Sequence, residues 1–201
     1  YLISKQNEEG ISKIGYKEYV GGDYDRIGRA LFEALVNKFN LKKNDIFLDI
    51  GCGSLRVGKF LINYLEEDCY LGIEPEKKLV DLAIPGEKIN LERNPEFCYN
   101  YNFDFKFNKK PNYIFAQSVF THLNFKDINK CFQKLDNFTK DNCVFFATFS
   151  TTPVKLFLPF KSHSHRAFNY TYEQIKKFGL SNNFVNCFYL GKNWGHPRKQ
   201  H

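Results

Sequence analysis

The carboxylates and glycines best suited to chemistry follow two short apolar runs. Asp49 lies near the end of the first run and is followed by Gly51, Cys52 and Gly53, and Glu74 stands 25 residues beyond Asp49, directly after the run at 70–73. Glycines two apart after a strand let the chain turn tightly and bring bare backbone against a ligand at a helix start. A carboxylate after the next strand can accept hydrogen bonds from ribose hydroxyls. The pattern predicts a site for a ribose-containing ligand, and Asp49 favours a cation over a pyrophosphate.

Two common phosphate-binding loops are excluded at the same place. A dinucleotide fingerprint needs Gly or Ala at the third position of GxGxxG, where this chain has Arg56. A P-loop needs GKS or GKT, which is absent. A purely structural alternative remains for the two carboxylates: they could cap strand ends without binding a ligand.

Histidines supply the candidates for a general base, because imidazole takes up a proton near neutral pH. His122, which follows the predicted strand at 113–116, is the first choice, although it could instead only pack against the next turn. His163 and His165 lie in a long irregular segment, 151–170, and are the alternatives. Alternate histidines can bind a metal, but no third ligand clusters with them, so we predict no metal site.

Elements of two kinds must position these residues. Apolar runs predict strands at 45–50, 70–73, 97–101, 113–116, 143–149 and 184–190, and helical periods occur at 24–39, 127–138 and 171–178, the last with Gly179 as its stop. Fully apolar strands that alternate with helices predict an α/β fold with a mostly parallel central sheet covered by helices on both faces. Ligands bind such sheets outside the carboxyl ends of the strands, where the strand order reverses.

Three sequence motifs carry a family resemblance. LDIGCGS, YLGIEP and AQSVFTHL together resemble the first, second-strand and fourth-strand motifs of class I S-adenosylmethionine-dependent methyltransferases. YVGG at 19–22, GCGSLRVG and the terminal HPRKQ look like one branch of that family, found among bacterial enzymes encoded with capsule and surface-polysaccharide genes, including O-methyl phosphoramidate decoration. The resemblance runs from about residue 16 to 200. It implies a Rossmann-like fold and one methyltransferase domain over 1–201, with a helix or lid at 1–40 and a substrate-binding insertion at 151–170.

The resemblance also implies a cofactor, S-adenosyl-L-methionine, with S-adenosyl-L-homocysteine as the product. Gly51 and Gly53 would lie under its methionine part, Asp49 near its ammonium group and Glu74 on its ribose diol. For the adenine amino group Asn102, Phe103 and Asp104 compete, and Asp104 is preferred. Ser118 could instead cap the next helix. The full predicted cofactor set is Tyr19, Asp49, Gly51, Cys52, Gly53, Arg56, Glu74, Pro75, Asp104, Gln117 and Ser118.

The charge distribution points to the acceptor. Residues 1–154 hold 21 basic and 21 acidic side chains, whereas residues 155–201 hold eight basic and one acidic, so the whole excess of +7 lies there. A polarised charge favours an anionic partner on that side, although a basic surface that only aids solubility is the alternative. The predicted acceptor is a small anionic or carbohydrate-derived molecule that meets Arg166, Tyr170, His196 and Arg198.

Two other functions stay open. A nucleic-acid methyltransferase would use the basic end as a binding surface, but AQSV stands where base methyltransferases have NPPY or DPPY, so nucleic acid is the weaker prediction. A cofactor-binding protein without turnover is the other. The six cysteines form no CxxC or CxxH pair, which fits a reducing cytoplasm, and no apolar stretch reaches the length of a membrane span.

Overall fold

The computed structural model describes residues 2–154, 161–162, 167–184, 186–191 and 194–197. Its helices are α1 Leu2–Ile14, α2 Tyr16–Tyr19, α3 Tyr24–Asn37, α4 Gly58–Tyr64, α5 Lys77–Gly86, α6 Phe125–Asp136 and α7 Tyr172–Leu180. Its strands are β1 Phe47–Ile50, β2 Tyr70–Ile73, β3 Glu96–Cys98, β4 Tyr113–Ala116, β5 Val144–Ala147, β6 Ser150–Thr151 and β7 Asn169–Tyr170. Short 3₁₀ turns occur at Leu91–Arg93 and Phe120–His122.

The main sheet in the described part of the chain is parallel and has the order β3-β2-β1-β4-β5. β1 pairs with β2 on one side and with β4 on the other, so the strand order reverses at β1. All residues of β1, β2 and β4 are buried. The predicted α/β fold class is confirmed, and in sheets of this kind a ligand is expected outside the carboxyl ends of the strands at the reversal, here β1 and β4.

The sheet separates two apolar cores because successive strand side chains point to opposite faces. Phe47, Tyr70 and Tyr113 face the core that holds α3 and α4, whereas Leu48 and Ile114 face the core that holds α6 and α7. Each fully buried large side chain contributes roughly 1.5–3 kcal/mol to stability relative to the exposed state.

Helix α3 shows why the amino-terminal part belongs to this body. Ile27, Leu31 and Leu35 recur every fourth residue and are fully buried against the first core. Gly28 lies between them, and a side chain there would collide with the backbone of Arg56, so the helix sits directly on the loop after β1. The predicted helix at 24–39 therefore has both a packing role and a place beside the candidate site.

Two features of the described residues after β5 differ from the predictions: one strand is absent and one helix ends later. The expected strand at 184–190 is wrong: its described residues form no strand, and Phe188 is 82% exposed. An apolar run becomes a strand only where its backbone groups find a partner strand, and the described residues offer none there. Gly179 does not end α7, since the helix reaches Leu180 and the turn closes through the bond from Asn182 N to Gly179 O.

The described helices include none with both the length and the apolar character needed to cross a membrane. The six cysteines are free thiols.

Candidate cofactor site

The loop after β1 lies at the expected ligand position. The backbone N–H groups of Gly51 and Cys52 both donate to Ile73 O, at 2.8 and 3.2 Å, which ties the loop to the end of β2. Gly51 has φ +69°, and a Cβ there would lie 2.5 Å from Val119 Cγ2. Only glycine meets both requirements, so the loop brings bare backbone to the carboxyl end of the sheet.

Glu74 connects the end of β2 to this loop. One carboxylate oxygen accepts from Gly53 N at 2.9 Å and the other from Glu76 N at 3.0 Å. Burial raises the pKa of Glu74 to about 7, although these two backbone bonds oppose the change. A polar or cationic ligand at the glycine loop would therefore stabilise the ionised form of this buried carboxyl.

Asp49 is the second buried carboxylate, only 3% exposed. Tyr70 Oη donates to Asp49 Oδ2 at 2.8 Å. Burial raises the pKa of Asp49 to about 7, and the Tyr70 hydrogen bond and the Arg56 charge pull it back toward the ordinary range. The structure thus brings both predicted carboxylates to the same loop.

The end of β4 lies beside the glycine loop. Arg56 Nη2 donates to Gln117 Oε1 at 2.8 Å, which connects the loop after β1 to the residue that follows β4. Ser118 has φ +58° and its N–H donates to Thr148 Oγ1 at 2.7 Å. Ser118 is thus held in an unusual backbone conformation by a residue just after β5, a support that the sequence analysis missed.

The amino-terminal segment covers the loop. Val20 O accepts from Arg56 Nη1 at 3.0 Å, and Val20 Cγ1 lies 3.3 Å from where a Cβ on Gly53 would be. Tyr19 is half-buried, and its pKa is raised by burial and then by the charges of Glu76 and Glu74. Val20 therefore lies over the glycine loop and Tyr19 lies near Glu74, the two features expected to hold the cofactor.

The other predicted cofactor residues lie in different environments. Cys52 is buried in the loop and Pro75 is half-buried after β2. Asp104 forms an ion pair with Lys134 at 2.8 Å, which lowers the pKa of its carboxyl. Its role at the adenine stays a prediction.

Three of the predicted acceptor-side residues lie in the described part of the chain, in different environments. His122 is half-buried and ends the 3₁₀ turn after β4, and its backbone N–H donates to Val119 O at 3.0 Å. His196 is 8% exposed, with Nε2 3.4 Å from Gln117 Nε2, so the carboxyl-terminal segment reaches the β4 end. Tyr170 is a core residue: it has no exposed surface and its hydroxyl donates to Leu123 O at 2.7 Å, which leaves no surface for an acceptor.

The remaining predicted residues, His163, His165, Arg166 and Arg198, lie outside the described residues. Within the part of the chain that is described, no three metal-ligating side chains form a cluster. The sequence analysis did not single out Tyr70, the hydrogen-bond partner of Asp49, because its run was interpreted only as a buried strand. Tyr70 and Gly72 are two residues apart and therefore lie on one face of β2, but which β1 residues they face depends on the pairing register.

No protein-family model matches the chain. The fold is similar to that of solved methyltransferases. A S-adenosylmethionine-dependent methyltransferase from Clostridium acetobutylicum matches with a TM-score of 0.57 and 14% identity, over 87% of this chain and 85% of that one. Magnesium protoporphyrin IX methyltransferase from Synechocystis with bound S-adenosylmethionine matches with a TM-score of 0.57 and 16% identity, over 88% and 79%. This chain has the methyltransferase fold.

A third neighbour with this fold is phosphoethanolamine N-methyltransferase 1 from Haemonchus contortus, in complex with phosphoethanolamine and S-adenosylhomocysteine. It matches with a TM-score of 0.59 and 11% identity, over 81% of this chain and 35% of that one. The last two neighbours are named for different acceptors, so the similarity supports the fold and leaves the acceptor to other arguments. The glycine loop and both carboxylates lie where the strand order of this fold reverses.

Proposed function

We propose that this chain is a S-adenosylmethionine-dependent methyltransferase that methylates an oxygen of a small anionic or sugar-derived precursor of bacterial surface polysaccharide. The observation that carries the first part is the position of two buried carboxyls beside the glycine loop at the reversal of strand order: Asp49 near the end of β1 and Glu74 bound to Gly53 N. The methyltransferase fold supports the same conclusion.

The residues present fit this cofactor chemically. Asp49 and Glu74 are both buried, and burial raises the pKa of each to about 7. A cationic group beside such carboxyls favours their ionised form, so a ligand that carries an ammonium and a sulfonium offsets the cost of burying them. Gly53 adds a backbone position without a side chain, covered by Val20. Asp49 would hold the ammonium end and Glu74 the ribose diol.

S-adenosylmethionine supplies an electrophilic methyl group on its sulfonium. The chain's own task is to align the acceptor and exclude water, because in-line displacement depends chiefly on orientation. Tyr19 and Val20 cover the cofactor side, and Gln117 and Ser118 would line the methionyl side. His122 is the proposed base that takes the proton of an acceptor hydroxyl, with His163 and His165 as alternatives.

The acceptor side of the proposal depends on charge. All of the +7 excess lies in residues 155–201, after the charge-balanced part that builds the glycine loop. Arg166 and Arg198 would bind a phosphate or carboxylate through paired N–H donors. Substituting either with Ala is expected to weaken acceptor binding while cofactor affinity stays nearly intact, as measured by separate titrations of the two ligands.

Calorimetry with S-adenosylhomocysteine tests the cofactor step. We expect wild-type protein to bind it and Glu74→Ala to weaken binding at least tenfold, because ribose hydroxyls lose charge-assisted hydrogen bonds. Asp81→Ala is the matched control, since Asp81 is an exposed acid paired with Lys77 at 2.5 Å. Absence of binding by the wild type, or equal binding by Glu74→Ala, would refute the assignment.

Transfer of a labelled methyl group to a panel of acceptors tests the second step. The panel contains phosphorylated sugars, uncharged sugars and RNA, and it is run with wild type and His122→Ala. Label on an anionic small molecule supports the proposal, whereas label on RNA selects the nucleic-acid alternative. Near-normal turnover by His122→Ala would move the base to His163 or His165.

A further inference from the structure

The register of β1 and β2 brings a tyrosine hydroxyl to one of the site carboxylates. Phe47 pairs with Tyr70 and Asp49 pairs with Gly72, so Asp49 and Tyr70 point to the same face of the sheet. Because Gly72 has no side chain, none intervenes at the position opposite Asp49. The Tyr70 hydroxyl reaches Asp49 Oδ2 at 2.8 Å.

Both partners lie in the core. Tyr70 is 2% exposed, and its ring stacks on Phe47 with the ring centroids 6.3 Å apart and an interplanar angle of 10°. A hydrogen bond between two buried groups has little competition from water, so it acts strongly on whichever partner can carry charge. Here that partner is the Asp49 carboxyl.

The other titratable groups around Asp49 come from two segments. Arg56 and Cys52 belong to the loop after β1: the Arg56 charge favours ionised Asp49, and Cys52 is neutral because burial raises the pKa of its thiol. Glu74 follows β2, and its charge and that of Asp49 disfavour each other's ionised form. The Tyr70 hydrogen bond and the Arg56 charge therefore favour the ionised form of Asp49, whereas burial and the charge of Glu74 disfavour it.

We infer that Tyr70 is a positioning residue of the cofactor site, whose hydroxyl orients the Asp49 carboxylate and keeps it ionised for the ammonium group of the cofactor. The inference rests on the proposed function, because the ammonium group belongs to the proposed ligand. The contact between Tyr70 and Asp49 itself is independent of that function.

A single substitution isolates the hydroxyl. Tyr70→Phe keeps the ring and its stacking on Phe47 but removes the donor, so the ionised form of Asp49 loses a buried hydrogen bond. The titration of Asp49 in the ligand-free protein should then move upward by about one pH unit. Carbon-13 NMR of the carboxyl groups measures this shift without any ligand, and Asp49→Asn identifies the signal.

The chain offers a closely matched control in Tyr113. It lies on β4 at the position paired with the other side of Phe47, and its ring also stacks on Phe47, with the centroids 5.4 Å apart. Its hydroxyl points to Phe39 O at 3.4 Å instead of to Asp49. Tyr113→Phe removes the same atom from the same core and should leave the Asp49 titration unchanged.

Binding of S-adenosylhomocysteine from pH 6 to 9 gives the second readout. We expect Tyr70→Phe to bind about fivefold more weakly than wild type at pH 7, roughly tenfold more weakly at pH 6, and almost equally at pH 9. In an Asp49→Asn background Tyr70→Phe should have no further effect. 5′-Methylthioadenosine, which lacks the amino-acid end, should bind both proteins alike.

The outcomes separate the two hypotheses. An unshifted Asp49 titration in Tyr70→Phe, or an equal shift in Tyr113→Phe, overturns the role of Tyr70. A shifted titration in a protein that binds no S-adenosylhomocysteine at any pH would retain the Tyr70–Asp49 contact and reject the proposed function.

Discussion

At the scale of single residues, the two buried carboxyls impose a pH dependence on stability. The pKa values of Asp49 and Glu74 rise from 3.8 and 4.5 to about 7 on folding, so between roughly pH 4 and 7 the folded state binds more protons than the unfolded state. Stability must therefore fall as the pH rises through this window, by up to about 1.4 kcal/mol per pH unit for each group. Acids with lowered pKa values, such as Asp104, act in the opposite direction and at lower pH.

Urea unfolding of the ligand-free protein at pH 5, 6, 7 and 8 measures this slope. Asp49→Asn keeps the shape and a carbonyl oxygen for Tyr70, but it cannot ionise. We expect this variant to have a flatter profile and to exceed wild-type stability at pH 8. Parallel profiles for the two proteins would mean that Asp49 titrates normally in the folded state.

The glycine loop gives a second prediction at this scale. Gly51→Ala adds a side chain to a backbone with positive φ and pushes it against Val119, whereas Gly191→Ala, at φ +75° with open space around it, adds only the backbone strain. We expect a cost of about 1 kcal/mol at Gly191 and about 2–4 kcal/mol at Gly51. Val119→Ala should recover part of the loss in the double variant. Equal costs at the two glycines would show that Val119 does not restrict the loop.

At the scale of elements, the covering segment, residues 16–22 over the glycine loop, is fixed by one half-buried acid. Glu87, just after α5, accepts from Tyr16 Oη and pairs with Lys17 and Lys59, each at 2.7 Å. Burial raises the pKa of Glu87, but the hydrogen bonds from Lys17, Lys59 and Tyr16 outweigh it and lower the pKa. Because Tyr16 and Lys17 belong to α2, this cluster holds the segment that carries Tyr19 and Val20.

Glu87→Gln should therefore loosen α2 without moving the sheet. We expect a loss of about 1–3 kcal/mol in the free energy of unfolding and faster hydrogen exchange at residues 16–22. Asp81→Asn breaks an exposed pair within α5 and should cost no more than about 0.5 kcal/mol. If exchange in Glu87→Gln rises uniformly along the chain, the cluster supports global stability instead of the covering segment.

Elements were predictable from the sequence where burial alone decides them. β2 and β4 match their predicted bounds because each is a continuous apolar run that is buried on both faces. The run at 184–190 is also mostly apolar, but a strand also needs a neighbour, and pairing depends on residues far away in the chain. Tyr170 shows the same limit: its position after β5 suggested a contact with the acceptor, whereas packing around Phe149 and Phe178 buries it.

At the scale of the whole molecule, the two ends of the described chain meet through the candidate site. Arg56 donates to Val20 O in the amino-terminal segment and to Gln117 at the β4 end. Gln117 in turn lies 3.4 Å from His196, and Trp194, two residues earlier, packs in the same core as α3. The sequence analysis predicted Arg56 and Gln117 at the cofactor and His196 at the acceptor. The sequence held no signal for their mutual contacts, because these join segments more than 60 residues apart.

This connection predicts that one side chain controls order in two distant segments. Arg56→Lys keeps the positive charge near Asp49 but replaces a planar group that donates in two directions with a single point donor, so it cannot hold Val20 and Gln117 in the same way. We expect hydrogen exchange to rise at both 16–22 and 194–197, with little change in β1 and β2. Lys134→Ala, which breaks the partly exposed pair with Asp104, is the control and should change exchange only near 104 and 134. A rise confined to 16–22 would show that Arg56 anchors the covering segment alone, and that His196 reaches the β4 end through contacts independent of the glycine loop.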